Sequence, residues 1–175
     1  MDKKGRVLVI CATILVLIFV GTASARTWIV DDDGGGDFSG IQEAINNASA
    51  GDTILVHSGV YYEPVYVNKS VTLKGIGQPV VDANGSGSAF TLNADGITLE
   101  GFNATNSGRL WVVSLWIGTG ITVVSSNNTI TGNNVCNNKN DGIDLFPSSN
   151  NNTITGNTFV NNGLTVFDSY QNTVE

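Results

Sequence analysis

The chain has 175 residues, 15 acidic against 8 basic, and a formal net charge of −7 at pH 7. Such a chain lacks the basic face that neutralises phosphates, which excludes nucleic acid from the expected partners. Only 13% of residues are charged; amides and hydroxyls solubilise the surface instead, and the length allows about one domain.

Residues 1–25 read as a secretory signal peptide. Lys3, Lys4 and Arg6 give a positive start, residues 7–20 are largely apolar, and Ala23-Ser24-Ala25 offers a cleavage site. The apolar run is shorter than the ~20 residues of a spanning helix. Cys11 follows Ile10, which excludes a lipid-attachment site. The mature chain, from Arg26, is therefore expected outside the cell or on its surface. Its one remaining cysteine, Cys136, is expected to be a small core side chain. Six N-x-S/T tripeptides, at Asn47, Asn68, Asn84, Asn103, Asn127 and Asn151, are candidate glycosylation sites.

Residues 26–50 are expected to hold one strand and a capping helix. Residues 27–30 read as the strand. Asp31-Asp32-Asp33-Gly34-Gly35-Gly36-Asp37 is a loop. Its acids suit a polar segment near a helix N-terminus, and their spacing is not that of an EF-hand calcium loop. Ser39-Gly40-Ile41-Gln42 fits a capping box. Ile41, Ala44, Ile45 and Ala48 then recur at helical spacing, giving a short amphipathic helix that covers the open apolar end of the strands after it.

From residue 51 the period becomes two. Residues 53–56 form a strand, Gly59-Val60-Tyr61 a turn, and Val65, Val67, Val71 and Leu73 an alternating apolar set. Val80-Val81 and residues 90–92 and 97–99 continue the short strands. Asn84-Gly85, Asp95-Gly96 and Asp141-Gly142 mark turns that call for positive φ.

A repeat then dominates. Asn127-Asn128-Thr129-Ile130-Thr131-Gly132-Asn133 recurs as Asn151-Asn152-Thr153-Ile154-Thr155-Gly156-Asn157, and Gln171-Asn172-Thr173-Val174 begins a third copy. Asn134-Val135 aligns with Thr158-Phe159, and residues 142–146 with 163–167 after an insertion of Lys139-Asn140-Asp141. Three short strands per repeat predict an all-β parallel β-helix over residues 51–175. Ile130, Ile154 and Val174 should stack inward ~4.8 Å apart, Thr129, Thr153 and Thr173 outward. Asn128, Asn152 and Asn172 should form a corner ladder with left-handed backbone. Asn127 and Asn151 fall at matching positions, so sugars there would line one edge. The last coil is unfinished at Glu175, as in a fragment, a truncated product, or a module whose coil end stacks on a partner.

Residues 111–117 break the pattern. Trp111-Val112-Val113-Ser114-Leu115-Trp116-Ile117 is too apolar for a strand with one buried face: either Trp111 or Trp116 sits outside, or the stretch is an excursion that covers part of a sheet. Trp111 and Trp116 are the candidate ligand-binding residues, because an exposed indole suits a sugar ring.

Residues 33–45, with residues 59–67 and 71–77, resemble the opening of the pectinesterase and pectate-lyase-like superfamily. The N-N-T-I-T-G-N coils resemble NosD-like repeats of exported carbohydrate-binding and sugar-hydrolase proteins. This resemblance implies a right-handed, single-stranded parallel β-helix. For pectinesterases it implies paired aspartates, one in a G-x-V-D-F-I-F-G motif. The only echo, Gly142-Ile143-Asp144-Leu145-Phe146, lacks the rest of the motif and a matched partner, so Asp144 is expected to be a solvated outward residue. Lyases of the superfamily use acids that bind calcium beside a basic residue, and the segment between Arg109 and Asp168 offers too few charges. Copper delivery, associated with NosD-type proteins, needs clustered soft ligands; His57 and Cys136 stand far apart in sequence and no methionine occurs after the leader. The expectation is an exported β-helix module, structural or adhesive, contacting a polysaccharide or surface glycan, with no metal, cofactor or catalytic site. A polysaccharide lyase or esterase, or the N-terminal piece of one, is the alternative; a copper accessory is the third.

Overall fold

A computed structural model of the protein describes residues 24–112, 115–166 and 169–175, with the side chains of 110–112 and 115–117 excepted. The expected leader over 1–25 therefore lies almost wholly outside the described residues. Strand β1 (Thr27–Val30) precedes helix α1 (Ile41–Asn47). The first coil comes next as β2 (Thr53–Val56), β3 (Val60–Tyr61) and β4 (Val65–Val67), the second as β5 (Thr72–Gly75), β6 (Val80–Asp82) and β7 (Phe90–Leu92). The third holds β8 (Thr98–Glu100), β9 (Asn103–Thr105), an excursion of β10 (Leu110–Val112) and β11 (Leu115–Ile117), then β12 (Ile121–Val123). The fourth is β13 (Thr129–Thr131), β14 (Asn134–Cys136) and β15 (Ile143–Leu145); the fifth is β16 (Thr153–Thr155), β17 (Thr158–Val160) and β18 (Leu164–Val166), with β19 (Thr173–Val174) after it.

Equivalent strands of successive coils pair in parallel and generate three long sheets. The first runs β1-β2-β5-β8-β13-β16-β19, the second β3-β6-β9-β14-β17, the third β4-β7-β12-β15-β18. Alternation sends every second residue inward. In the first sheet Ile54, Leu73, Leu99, Ile130 and Ile154 share one register and all are buried, each burial contributing roughly 1.5–3 kcal/mol. Phe90 and Phe102 add an edge-to-face contact at 5.2 Å between ring centroids. Val174 holds the predicted register but is exposed.

The helix caps the stack as expected, with Ile41, Ala44 and Ile45 fully buried. The capping box does not form. Gly40 is the N-cap and offers no side-chain acceptor. The Glu63 carboxylate, from the loop between β3 and β4, takes its place: Ile41 N–H donates to Oε1 at 2.7 Å and Gln42 N–H to Oε2 at 3.1 Å. A charged acceptor from the next coil outcompetes a local hydroxyl. The Gln42 side chain turns instead to the Tyr66 backbone, accepting from its N–H at 2.7 Å. At the other end Lys69 Nζ donates to the carbonyls of Ile45, Asn46 and Ala48 at 2.7–2.9 Å.

Three further expectations change. Val60 and Tyr61 form a strand, not a turn, because the Tyr61 ring packs inward and its hydroxyl donates to His57 O at 3.0 Å. Gly142 does not have positive φ, whereas Asn84, Gly85 and Gly96 do. Gly142 is required by packing: a Cβ there would stand 2.8 Å from Phe159 Cδ1 and 3.0 Å from Gly163 O. Cys136 is half-buried on the outer face of the second sheet, not in the core, because Val135 takes the inward position.

Candidate functional site

Asparagine ladders run up all three corners of the coil, one residue after a left-handed turn. Where the third sheet passes into the first, Asn127, Asn151 and Gln171 carry φ of 60°, 57° and 57°. The ladder residues Asn128, Asn152 and Asn172 are not themselves left-handed, contrary to the sequence reading. Asn128 Oδ1 accepts the Ile97 amide, Asn152 Oδ1 the Asn128 amide, and Asn172 Oδ1 the Asn152 amide, at 2.8–2.9 Å. The other corners repeat this with Asn133 and Asn157 and with Asn138 and Asn162. Burial makes the bonds necessary, since a buried amide without an acceptor costs about 1–3 kcal/mol. These ladders are structural.

The outer face of the first sheet carries Thr27, Thr53, Thr72, Thr98, Thr129, Thr153 and Thr173 in one continuous register. The neighbouring outward column holds Lys74 and Glu100, which pair at 3.0 Å, then Thr131 and Thr155, joined by a hydroxyl contact of 3.3 Å. The face is thus a band of hydroxyls and methyls, with Lys74 and Glu100 neutralising each other.

The outer face of the third sheet is chemically different. Asp144 is not solvated: it is 8% exposed, and its Oδ1 has no hydrogen-bond partner. Burial pushes its carboxyl up to about 6, and the charge of Asp141 adds to the shift. Its register neighbour Thr122 is also buried. Thr122 Oγ1 lies 2.8 Å from Ser88 Oγ and 2.7 Å from Thr119 Oγ1. Nearby, Gly118 O accepts from Ser107 Oγ at 2.7 Å and from Asn140 N at 3.3 Å, which anchors the base of the β10–β11 excursion to the corner preceding β15. Thr165, the equivalent residue one coil on, is more open.

At the other end an open cleft of about 270 Å³ is lined by Asp31, Asp33, His57, Ser58 and Ile76. Oxygens of Asp31, Asp32 and Asp33 lie within 4.8 Å of one another. Two of these carboxylates already serve local groups: Asp31 Oδ2 contacts His57 Nδ1 at 3.1 Å and Asp32 Oδ2 accepts from Val60 N–H at 3.0 Å. Asp37 Oδ2 likewise accepts from Ile29 N–H at 2.9 Å. The loop acids thus pin β1 and the first coil together.

The backbones of Trp111 and Trp116 face each other across the antiparallel β10–β11 pair; their indole rings lie outside the described residues. Of the six N-x-S/T asparagines, Asn47, Asn68, Asn84, Asn127 and Asn151 are exposed and Asn103 is half-buried on β9.

A family model described as a right-handed beta helix region matches residues 30–175. A cell surface glycoprotein of Methanothermus fervidus is 43% identical over 68 residues, which cover 37% of this chain. The chain spans 12% of the length of that curated relative. No solved structure matches the chain.

Proposed function

We propose a role at the cell surface for this chain, which belongs to the right-handed β-helix family. In this reading it is an exported structural or adhesive module, a stiff rod that meets polysaccharide or surface glycan along its outer sheets. The likeness to a segment of a cell surface glycoprotein carries the reading. The leader-like pattern of residues 1–25 supports export, and the hydroxyl band on the first sheet supports contact with neutral, hydroxyl-rich polymers. Surface labelling of intact cells, with binding of residues 26–175 to immobilised neutral and acidic polysaccharides, tests it. A protein confined to the cytoplasm that retains no polymer would overturn it.

One observation favours a second reading, a polysaccharide-active enzyme. A buried carboxyl with a pKa near neutrality beside a hydroxyl network is the kind of group that serves acid–base chemistry. Incubation with uronate polymers, with and without calcium, decides this. Product formed by the native chain and not by Asp144→Asn favours the enzyme; no product from either removes it.

A further inference from the structure

We infer that the folded, exported chain carries N-glycans at Asn68, Asn84, Asn127 and Asn151, attached before its coils close, and none at Asn103, where a glycan would stop the coils from closing. The inference rests on export of the chain, as proposed for its function. The six tripeptides are equivalent as motifs; the fold separates them.

An attached glycan is bulky and must leave the folded surface freely. Asn68, Asn84, Asn127 and Asn151 are exposed, and among the described residues their side-chain amides make no hydrogen bond. Three of them occupy left-handed turns, with φ of 53° at Asn84, 60° at Asn127 and 57° at Asn151. Asn68 comes directly after the inward Val67 at the end of β4, so alternation turns it outward.

Asn103 is different. Asn103 is central to the second sheet, paired with Val80 on one side and Asn134 on the other, and its Oδ1 accepts from Cys136 Sγ at 3.4 Å. A sugar on Asn103 would lie across the strands on both sides and block closure of the coils, so the folded product is bare there.

Geometry also sets the order of events. In the folded chain the middle residues of two tripeptides, Asn128 and Asn152, are 1% and 0% exposed and tied into the ladder. A transferase must grip an extended tripeptide, which these residues cannot supply once stacked. At these two sites transfer therefore takes place on the unfolded chain, from a lipid-linked oligosaccharide. The asparagine amide nitrogen bonds to the anomeric carbon and loses a proton. The sugar–phosphate bond breaks, and the phosphate leaves with the electron pair. Asn68, Asn127 and Asn151 all lie where the third sheet passes into the first, so three of the four glycans share one edge. The outer face of the second sheet stays uncovered.

The test uses residues 26–175 behind the leader of a secreting host that N-glycosylates its own proteins, so that entry to the pathway does not depend on residues 1–25. Glycopeptide mass spectrometry on the folded secreted product should find sugar at Asn68, Asn84, Asn127 and Asn151, and none at Asn103. Thr129→Ala should remove only the glycan at Asn127, and Thr153→Ala only that at Asn151. Host membranes with donor should modify Asn127 and Asn151 in the denatured unglycosylated chain and leave both bare in the refolded chain. Bare Asn127 and Asn151, a glycan on Asn103 of folded protein, or equal modification of refolded and denatured chain would overturn the inference. The export reading is judged separately by surface labelling in intact cells.

Discussion

Asn152 Oδ1 accepts two bonds from Asn128, one from its backbone N–H and one from its side-chain amide, each at 2.9 Å. Both donors are buried, and both bonds cross from one coil to the next. The Asn152 amide in turn donates to Ser125 O at 3.2 Å, so one side chain holds two coils at their shared corner.

Asn152→Leu should destabilise the protein by about 2–4 kcal/mol, because it leaves two buried donors without acceptors. Urea unfolding measures this. Asn127→Gly, which keeps the left-handed turn, should change stability by only a few tenths of a kcal/mol. A loss below about 0.5 kcal/mol for Asn152→Leu would show that the ladder does not hold the corner.

Glu63→Ala should loosen the helix cap. The Ile41 and Gln42 amides lose a charged acceptor, at a cost of about 1–2 kcal/mol. Hydrogen exchange at these two amides should accelerate while the inward residues of β13 and β16 remain protected. Ser39→Ala should leave exchange unchanged, since Gly40 is the N-cap and no side-chain hydroxyl caps the helix.

Asp144 predicts a pH dependence with a definite sign. Its folded pKa, about 6, lies above the ordinary value of 3.8, so the native state binds this proton more tightly than the unfolded chain. The contribution is fully present below the unfolded pKa and is lost as pH rises through 6. Between pH 4 and 7 this group should lower stability by about 1–3 kcal/mol. In Asp144→Asn that part of the fall should be absent. Chemical denaturation of both proteins at several pH values measures it, and parallel profiles would refute the assignment.

Gly142→Ala should cost about 1–3 kcal/mol although its backbone is unstrained. The added methyl meets Phe159, Asn162 and the Gly163 carbonyl of the next coil. Pairing it with Phe159→Leu should recover part of the loss, as expected for residues in contact. Additive losses in the double variant would rule out the steric explanation.

The architecture was readable because the repeat repeats its inward residues. Ile130 and Ile154, Val135 and Phe159, and Ile143 and Leu164 pair as the alignment placed them. The acceptor at the helix start was not readable, because Glu63 is 22 residues from Ile41 and nothing local to the helix points to it. Asp144 was misjudged for a related reason: exposure on an outward face depends on what else folds nearby, and the strand pattern I-D-L carries no record of that. The ladders at the other two corners join Asn133 with Asn157 and Asn138 with Asn162, and left-handed Gly132 and Asn137 precede them as Asn127 precedes Asn128.

Each asparagine of this ladder accepts from the coil before it, and Asn128 and Asn152 donate in turn to the coil after them. Tandem duplication of the 24 residues between Thr129 and Thr153 would therefore deliver a new rung with its acceptor already facing the waiting donor. Genes for such rods can lengthen or shorten in whole steps while every surviving junction keeps its chemistry.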